Sequence, residues 1–187
     1  MRHGKPTFDL EDLKPLTFSA NSLKEIVEKY ETSSLDLSCL PNIDSMTVSK
    51  QCSVLLSSDL PRAIESCQLL KPEEKIICDA CFRESALPYL NWNFPKLTFF
   101  TWAIIFRLLW LFGFSLNGES IKAARFRAKQ GANQLEHYAK SEGSVLLLGH
   151  GIMNRLLVRE LISRKWTVTK KTGEKYWSFT VIEFVGE

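Results

Sequence analysis

The sequence holds no internal repeat, no low-complexity tract and no long polar linker. It therefore reads as a single unit spanning residues 1–187. No Lys/Arg-rich run is present, and the formal net charge of +3 is small. Such a balance fits an anionic small substrate and argues against nucleic acid as a partner. Cysteine is sparse and irregular: Cys39, Cys52, Cys67, Cys78 and Cys81 are odd in number and share no regular spacing. No signal-peptide pattern is read at the start, because Met1 runs straight into charged residues. Free thiols in a reducing, cytoplasmic compartment are the expectation. Cys78-x-x-Cys81 has no second pair to complete a zinc site, and His137 is the one histidine outside a His-Gly pair. We therefore expect no metal and no cofactor.

Apolar residues make up 45% of the 187 residues and charged residues 24%, enough for one domain with a full core. Leu23, Ile26, Val27 and Tyr30 fall at helical spacing over residues 22–31, with Ser22 and Glu25 able to form a capping box. Val54 to Ser57 is a short apolar run. It enters Ser58-Asp59-Leu60-Pro61-Arg62, which looks like a helix start with proline in its first turn. Lys75 to Cys78 reads as another short strand. Ser120 to Lys140 reads as a helix, with Ile121, Ala124, Ala128, Leu135 and Tyr138 along one side. Val145 to Gly149 is apolar without alternation, as expected of a parallel strand covered on both faces. A helix from Ile152 to Arg164 and a closing strand from Trp177 to Val185 complete the pattern. Strands alternating with helices predict an α/β sandwich with a mostly parallel sheet, whose ligand site gathers at the strands' carboxyl ends.

Two of the three histidines precede glycine, at His3-Gly4 and His150-Gly151, the second directly after a predicted strand. Glycine there lets the backbone turn sharply and lets a bulky anion approach. Arg2 flanks His3, and Arg62 lies in the first turn of a predicted helix, where free N–H groups favour phosphate. Guanidinium groups bind phosphate oxygens bidentately and keep their charge at any working pH.

Arg2-His3-Gly4, Ser57-Ser58-Asp59-Leu60-Pro61-Arg62-Ala63, Phe82-Arg83-Glu84 and Leu148-Gly149-His150-Gly151 together resemble the ordered motifs of the histidine phosphatase superfamily. That family includes the cofactor-dependent phosphoglycerate mutases and many phosphatases. The Gly118-Glu119-Ser120 step is similar as well, and the resemblance covers the chain outside about residues 88–117. It implies a three-layer, phosphoglycerate mutase-like sandwich with a mostly parallel central sheet flanked by helices, carrying an apolar helical insert. It implies a metal-independent phosphatase in which His3 attacks phosphorus and forms a phosphohistidine. Arg2, Arg62 and His150 would surround the equatorial oxygens, with Gly4 and Gly151 beside them. Glu84 would act as general acid and then base, in surroundings made apolar by Phe82, Leu87 and Tyr89. Glu119 is the other candidate acid, but its place at a helix start suits capping and dipole pairing. Where the mutases carry a glycine- and tyrosine-containing segment, this chain reads Ser85-Ala86-Leu87-Pro88-Tyr89-Leu90-Asn91-Trp92, which favours a phosphatase over a mutase or phosphotransferase. The third reading is an inactive phospholigand-binding protein. Asp9 stands where many members have asparagine; a second carboxylate would repel phosphate, so Asp9 is left out of the site.

In the same family the Arg-His-Gly triplet ends a central strand, and only Met1 precedes it here. We expect further residues upstream of Met1. Residues 97–116 include twelve Leu, Ile and Phe residues, two tryptophans and one charge, Arg107. On an insertion scale the twelve contribute roughly −4 to −7 kcal/mol against about +3 for Arg107. A span would nevertheless separate Arg2, His3, Arg62 and Glu84 from His150. The segment is therefore expected to be a helical hairpin or lid near the acid. It could serve as core packing, an apolar wall that sets substrate choice, a dimer contact or a surface for peripheral membrane contact.

Overall fold

The protein is described by a computed structural model covering residues 1–186. In chain order its elements are β1 (Thr17–Phe18), α1 (Leu23–Glu31), α2 (Ile43–Lys50), β2 (Val54–Ser57), α3 (Pro61–Leu70), β3 (Ile76–Cys78), β4 (Leu97–Thr98), α4 (Phe99–Leu111), α5 (Ile121–Glu142), β5 (Val145–Leu148), α6 (Gly151–Ile162), β6 (Trp166–Lys171) and β7 (Thr180–Phe184). The central sheet is parallel, in the order β3-β2-β5.

Strand alternation explains the three layers. Leu56 and Leu147 point to one face, where α5 and α6 supply Ala124, Ala128, Met153 and Leu157. Leu55, Leu146 and Leu148 point to the other, against Cys67 of α3 together with Trp177 and Phe179. Both sheet faces are covered, so β2 and β5 need apolar residues at consecutive positions.

The Arg-His-Gly triplet takes a strand's path without a strand's length. Met1 N donates to Leu147 O (2.7 Å) and His3 N to Gly149 O (3.0 Å), while Gly149 N donates to Met1 O (3.0 Å). On its other side Arg2 N donates to Ser178 O (2.8 Å). Next to this stub, β5 and β7 face each other across a cavity of about 850 Å³ lined by Met1, Leu146, Trp166 and Ile182.

Three expectations are corrected. Ser22 has helical backbone angles and makes no side-chain cap bond; a 3-10 turn over Ala20–Ser22 leads into α1 instead. The closing strand β7 pairs antiparallel with β6, which sequence reading missed because that strand exposes nearly every residue. The apolar segment is not a helical hairpin. It is a short strand, β4, paired with β1, followed by the single helix α4. Phe99, Trp102 and Phe106 of α4 pack on Leu23 and Ile26 of α1 in a third apolar cluster. Among the described residues no helix is long and apolar enough to cross a membrane.

Candidate active site

His3, Arg62 and His150 converge from three elements. His3 ends the stub beside β5, Arg62 lies in the first turn of α3, and His150 is the residue from which α6 starts. All three are buried, and the two imidazole centroids lie 4.9 Å apart.

Hydrogen bonding fixes their protonation. His3 Nδ1 lies 2.6 Å from Gly4 O, and a carbonyl only accepts, so Nδ1 carries the proton. His3 Nε2 is then the lone pair, and it accepts from Arg62 Nε at 3.2 Å. His150 takes the opposite tautomer. Its Nδ1 faces a terminal N–H of Arg62 (3.3 Å), so Nε2 donates to Ser58 Oγ (2.9 Å). Burial, with the Arg62 charge next to it, holds His3 well below the usual histidine range. Burial does the same for His150, reinforced by His3 and Arg62. Both rings are neutral at pH 7.

Arg62 is the hub. Besides the two imidazoles, it donates to Tyr30 O (2.8 Å) and Glu31 O (3.0 Å), the orphan carbonyls at the end of α1, where cations are favoured. Its guanidinium lies 4.4 Å from the Tyr30 ring centroid. Arg2 donates to Glu174 O (2.7 Å) and lies over the Tyr176 ring, itself 5.7 Å from His3. Its Nε is buried without a partner among the described residues, a donor that an incoming anion would satisfy.

Glu84 reaches the same place from the loop after β3. Its carboxylate accepts from Ser85 N (2.9 Å), Ile152 N (3.0 Å) and Met153 N (3.0 Å), and so sits on the positive end of α6 directly after His150. The apolar surroundings expected for it are not what touches it. Phe82 is in the core beneath α5 and α6, Leu87 and Tyr89 pack on the α4 cluster, and the carboxylate's own partners are N–H groups.

Two glycines differ in duty. A Cβ at Gly151 would stand in ordinary contact with Glu84 Oε2 and an Arg155 nitrogen, at 3.7 and 3.8 Å. The phosphate role expected of Gly4 is not what its geometry offers. Its N–H donates to Ser66 Oγ (2.9 Å), and a Cβ would fall on the Trp177 indole and Leu35. Asp9 lies outside the cluster, paired with Lys5 (3.3 Å) and accepting from Glu11 N (3.0 Å). Glu119 does not cap its helix; Ser120 does, and Glu119 instead holds Arg127 in a two-pronged pair at 2.6 and 2.9 Å. Arg127 in turn donates to Arg83 O (2.6 Å), clamping the loop that carries Glu84.

Sequence reading missed Ser58, Ser66, Arg107 and Arg127. Arg107, the one charge of the apolar segment, donates to Ser85 Oγ (2.9 Å) and Ser85 O (3.0 Å), next to Glu84. Its isolation among apolar residues was the available signal, since a buried guanidinium needs acceptors. Among the described residues no three His, Cys, Asp or Glu side chains converge as a metal site would require. Taken together, a neutral imidazole with its unprotonated nitrogen turned to a guanidinium lies beside a second imidazole. Such an arrangement can attack an electrophile whose negative oxygens the guanidinium N–H groups hold.

The sequence model of the histidine phosphatase superfamily (branch 1) matches residues 46–187, a segment carrying Arg62, Glu84 and His150. His3 lies ahead of that match. No curated protein matches the sequence. Among solved structures, the fold is similar to Mycobacterial hydrolase 1 (TM-score 0.58, 19% identity, 87% of this chain and 76% of that one). It is also similar to mycobacterial glucosyl-3-phosphoglycerate phosphatase (TM-score 0.56, 19% identity, 87% and 77%). Bacillus stearothermophilus YhfR is a further likeness (TM-score 0.56, 19% identity, 87% and 77%). With three quarters of its length matched by the family's pattern and its fold shared with these neighbours, the chain belongs to the histidine phosphatase superfamily.

Proposed function

We propose that the chain hydrolyses phosphomonoesters through a phosphohistidine on His3. The observation that carries this reading is the unprotonated Nε2 of His3, held against Arg62 with the His150 ring 4.9 Å away. In the first step Nε2 bonds to phosphorus as the ester P–O bond breaks, and Glu84 gives its proton to the departing oxygen. In the second, water attacks phosphorus, Glu84 takes the water's proton, and the P–N bond breaks to release phosphate and neutral His3. Arg62, Arg2 and His150 hold the equatorial oxygens through both steps. The bound arginines supply the neutralising charge, so the reading calls for no metal or cofactor. Arg107 and Arg127 position the acid by fixing Ser85 and Arg83 on either side of it. The five unpaired thiols fit a reducing, cytoplasmic setting.

The mycobacterial glucosyl-3-phosphoglycerate phosphatase has been solved with inorganic phosphate and with VO3. We expect both anions to bind here, against Arg62 and Arg2 Nε. The test is para-nitrophenyl phosphate hydrolysis in EDTA, with the parent beside His3→Ala. Hydrolysis by the parent, an acid-labile phosphoprotein on quenching and loss of both in the variant support the mechanism. Turnover that survives His3→Ala overturns it. One observation favours a second reading, a phospholigand-binding protein without turnover: both Glu84 oxygens already accept from helix N–H groups. A parent that binds vanadate yet releases no nitrophenol would select it.

A further inference from the structure

The geometry points to the outer face of α4, continued onto the first turns of α5, as a docking surface for an anionic lipid bilayer. α4 has a buried apolar face and an exposed one. Phe99, Trp102, Phe106 and Trp110 are buried, while Ile104, Leu108 and Leu111 stand exposed on the opposite stripe at spacings of four and three. The stripe runs into Phe112, 90% exposed, and Leu116 in the following turn. A helix that has already buried one apolar face in its own domain has no folding reason to keep the other apolar. Surfaces of that kind mark contacts with something outside the chain.

Charge narrows what that something is. Between Glu84 and Glu119 the sequence has no acidic residue. Trp110, on the buried face at the end of α4, donates from Nε1 to Glu119 O (2.7 Å) and shares a core cluster with Ile121 and Ala124, so the start of α5 lies against the end of α4. The outward residues of α5 there are Lys122, Arg125, Phe126 and Lys129. Those three cations form no ion pair among the described residues. An exposed apolar stripe in a segment without acids, followed by unpaired cations on the first turns of the next helix, suits the boundary between acyl chains and anionic headgroups, where α4 would lie in the plane of the surface. A second copy fits poorly. Twofold pairing through this face would set Lys122, Arg125 and Lys129 of one chain against those of the other. Neither does the helix pass through the bilayer, since α4 has 13 residues and a span needs about 20.

The test is co-sedimentation of the full chain with vesicles of phosphatidylcholine, with and without phosphatidylglycerol. We expect binding to the anionic vesicles that weakens as salt is raised. Lys122→Glu with Arg125→Glu should lower that affinity by at least about tenfold and flatten the salt dependence. Leu108→Glu with Phe112→Glu should abolish binding on both vesicle types. Because these side chains are exposed, all variants should keep the parent's melting temperature and its aryl phosphate hydrolysis. Failure of the parent to bind at low salt overturns the proposal. So does equal binding by parent and variants. A parent dimer that Leu108→Glu with Phe112→Glu dissociates, without vesicle binding, overturns it in favour of self-association.

Discussion

The cluster around His3 and the outer face of α4 invert the usual division of a protein into apolar inside and polar outside. In the cluster the buried groups are polar: His3, Ser58, Arg62, Ser66 and His150. On α4 the large exposed ones are apolar. Burial in the cluster is tolerable because each group has a partner, and the partners come from elements far apart in sequence. Arg62 alone links α3 to both histidines and to the end of α1. Loss of any one leaves the others buried and unpaired, whereas loss of an α4 outer residue leaves only water behind. The two regions should therefore respond to substitution on very different scales.

The largest effect is expected at Arg62. Arg62→Met removes the donor to His3 Nε2 and the guanidinium bonds to the Tyr30 and Glu31 carbonyls of α1. We expect kcat on an aryl phosphate to fall by about 100 to 1000-fold, together with a lower melting temperature. Arg62→Lys should rescue stability in part and activity little, since an ammonium cannot span both imidazoles and both carbonyls. Near-parental turnover in either variant would make Arg62 structural. Next is Gly4→Ala. The added methyl meets Trp177, which is itself held by a hydrogen bond from Nε1 to Cys39 O (2.9 Å). A loss of about 1–3 kcal/mol in denaturant unfolding is expected, and an unchanged midpoint would show that Trp177 yields freely.

What was legible in the sequence, and what was not, follows the same line. β2 and β5 were readable because each is covered on two faces, and uninterrupted Leu and Val runs leave few alternatives. β6 was not, since Thr167 to Lys171 is exposed and no core face shaped its pattern. His3, Arg62 and His150 were legible as candidates through their glycine and helix-start contexts. Their tautomers were not, because Gly4 O, Ser58 Oγ and the α1 carbonyls become partners only on folding. In the sequence Gly4 reads as room for an anion to approach, yet its smallness serves Trp177. Arg107 was read as a cost to membrane insertion, and the Ser85 acceptors that explain it lie 22 residues away in sequence.

Arg107 is where the two regions meet, and Arg107→Gln asks how firmly. Its guanidinium joins α4 to Ser85, whose N–H donates to Glu84. A positioning role predicts kcat down about tenfold at little change in KM, roughly 1.4 kcal/mol of lost transition-state stabilisation. For para-nitrophenyl phosphate, whose leaving group scarcely needs a proton, the loss should be smaller than for an alkyl phosphate. Equal losses on both substrates would point to a general disturbance of the fold.

A smaller effect comes from pH. His3 and His150 are held below their ordinary value of 6.5 by burial and by Arg62. Below pH 6.5 the unfolded chain therefore binds protons that the folded one refuses, so stability is full above that value and declines as pH falls toward the folded values. A loss on the order of 1 kcal/mol per pH unit is expected in that window, read as a falling melting temperature. Replacing His150 by Asn should flatten the slope, and a parental slope in that variant would assign it to other groups.

The smallest effect should be on the outer stripe of α4. Leu108 is half exposed and contributes to none of the apolar clusters, so Leu108→Asn removes little buried area. The change in unfolding free energy should stay within about 0.5 kcal/mol, against the several-fold larger loss expected at Gly4. If Leu108→Asn destabilises the chain as much as Gly4→Ala, the stripe contributes to folding and the contrast between the two regions fails. If stability is unchanged while solubility rises, the stripe's apolarity serves contacts beyond the chain, which is what sets α4 apart from the helices that cover the sheet.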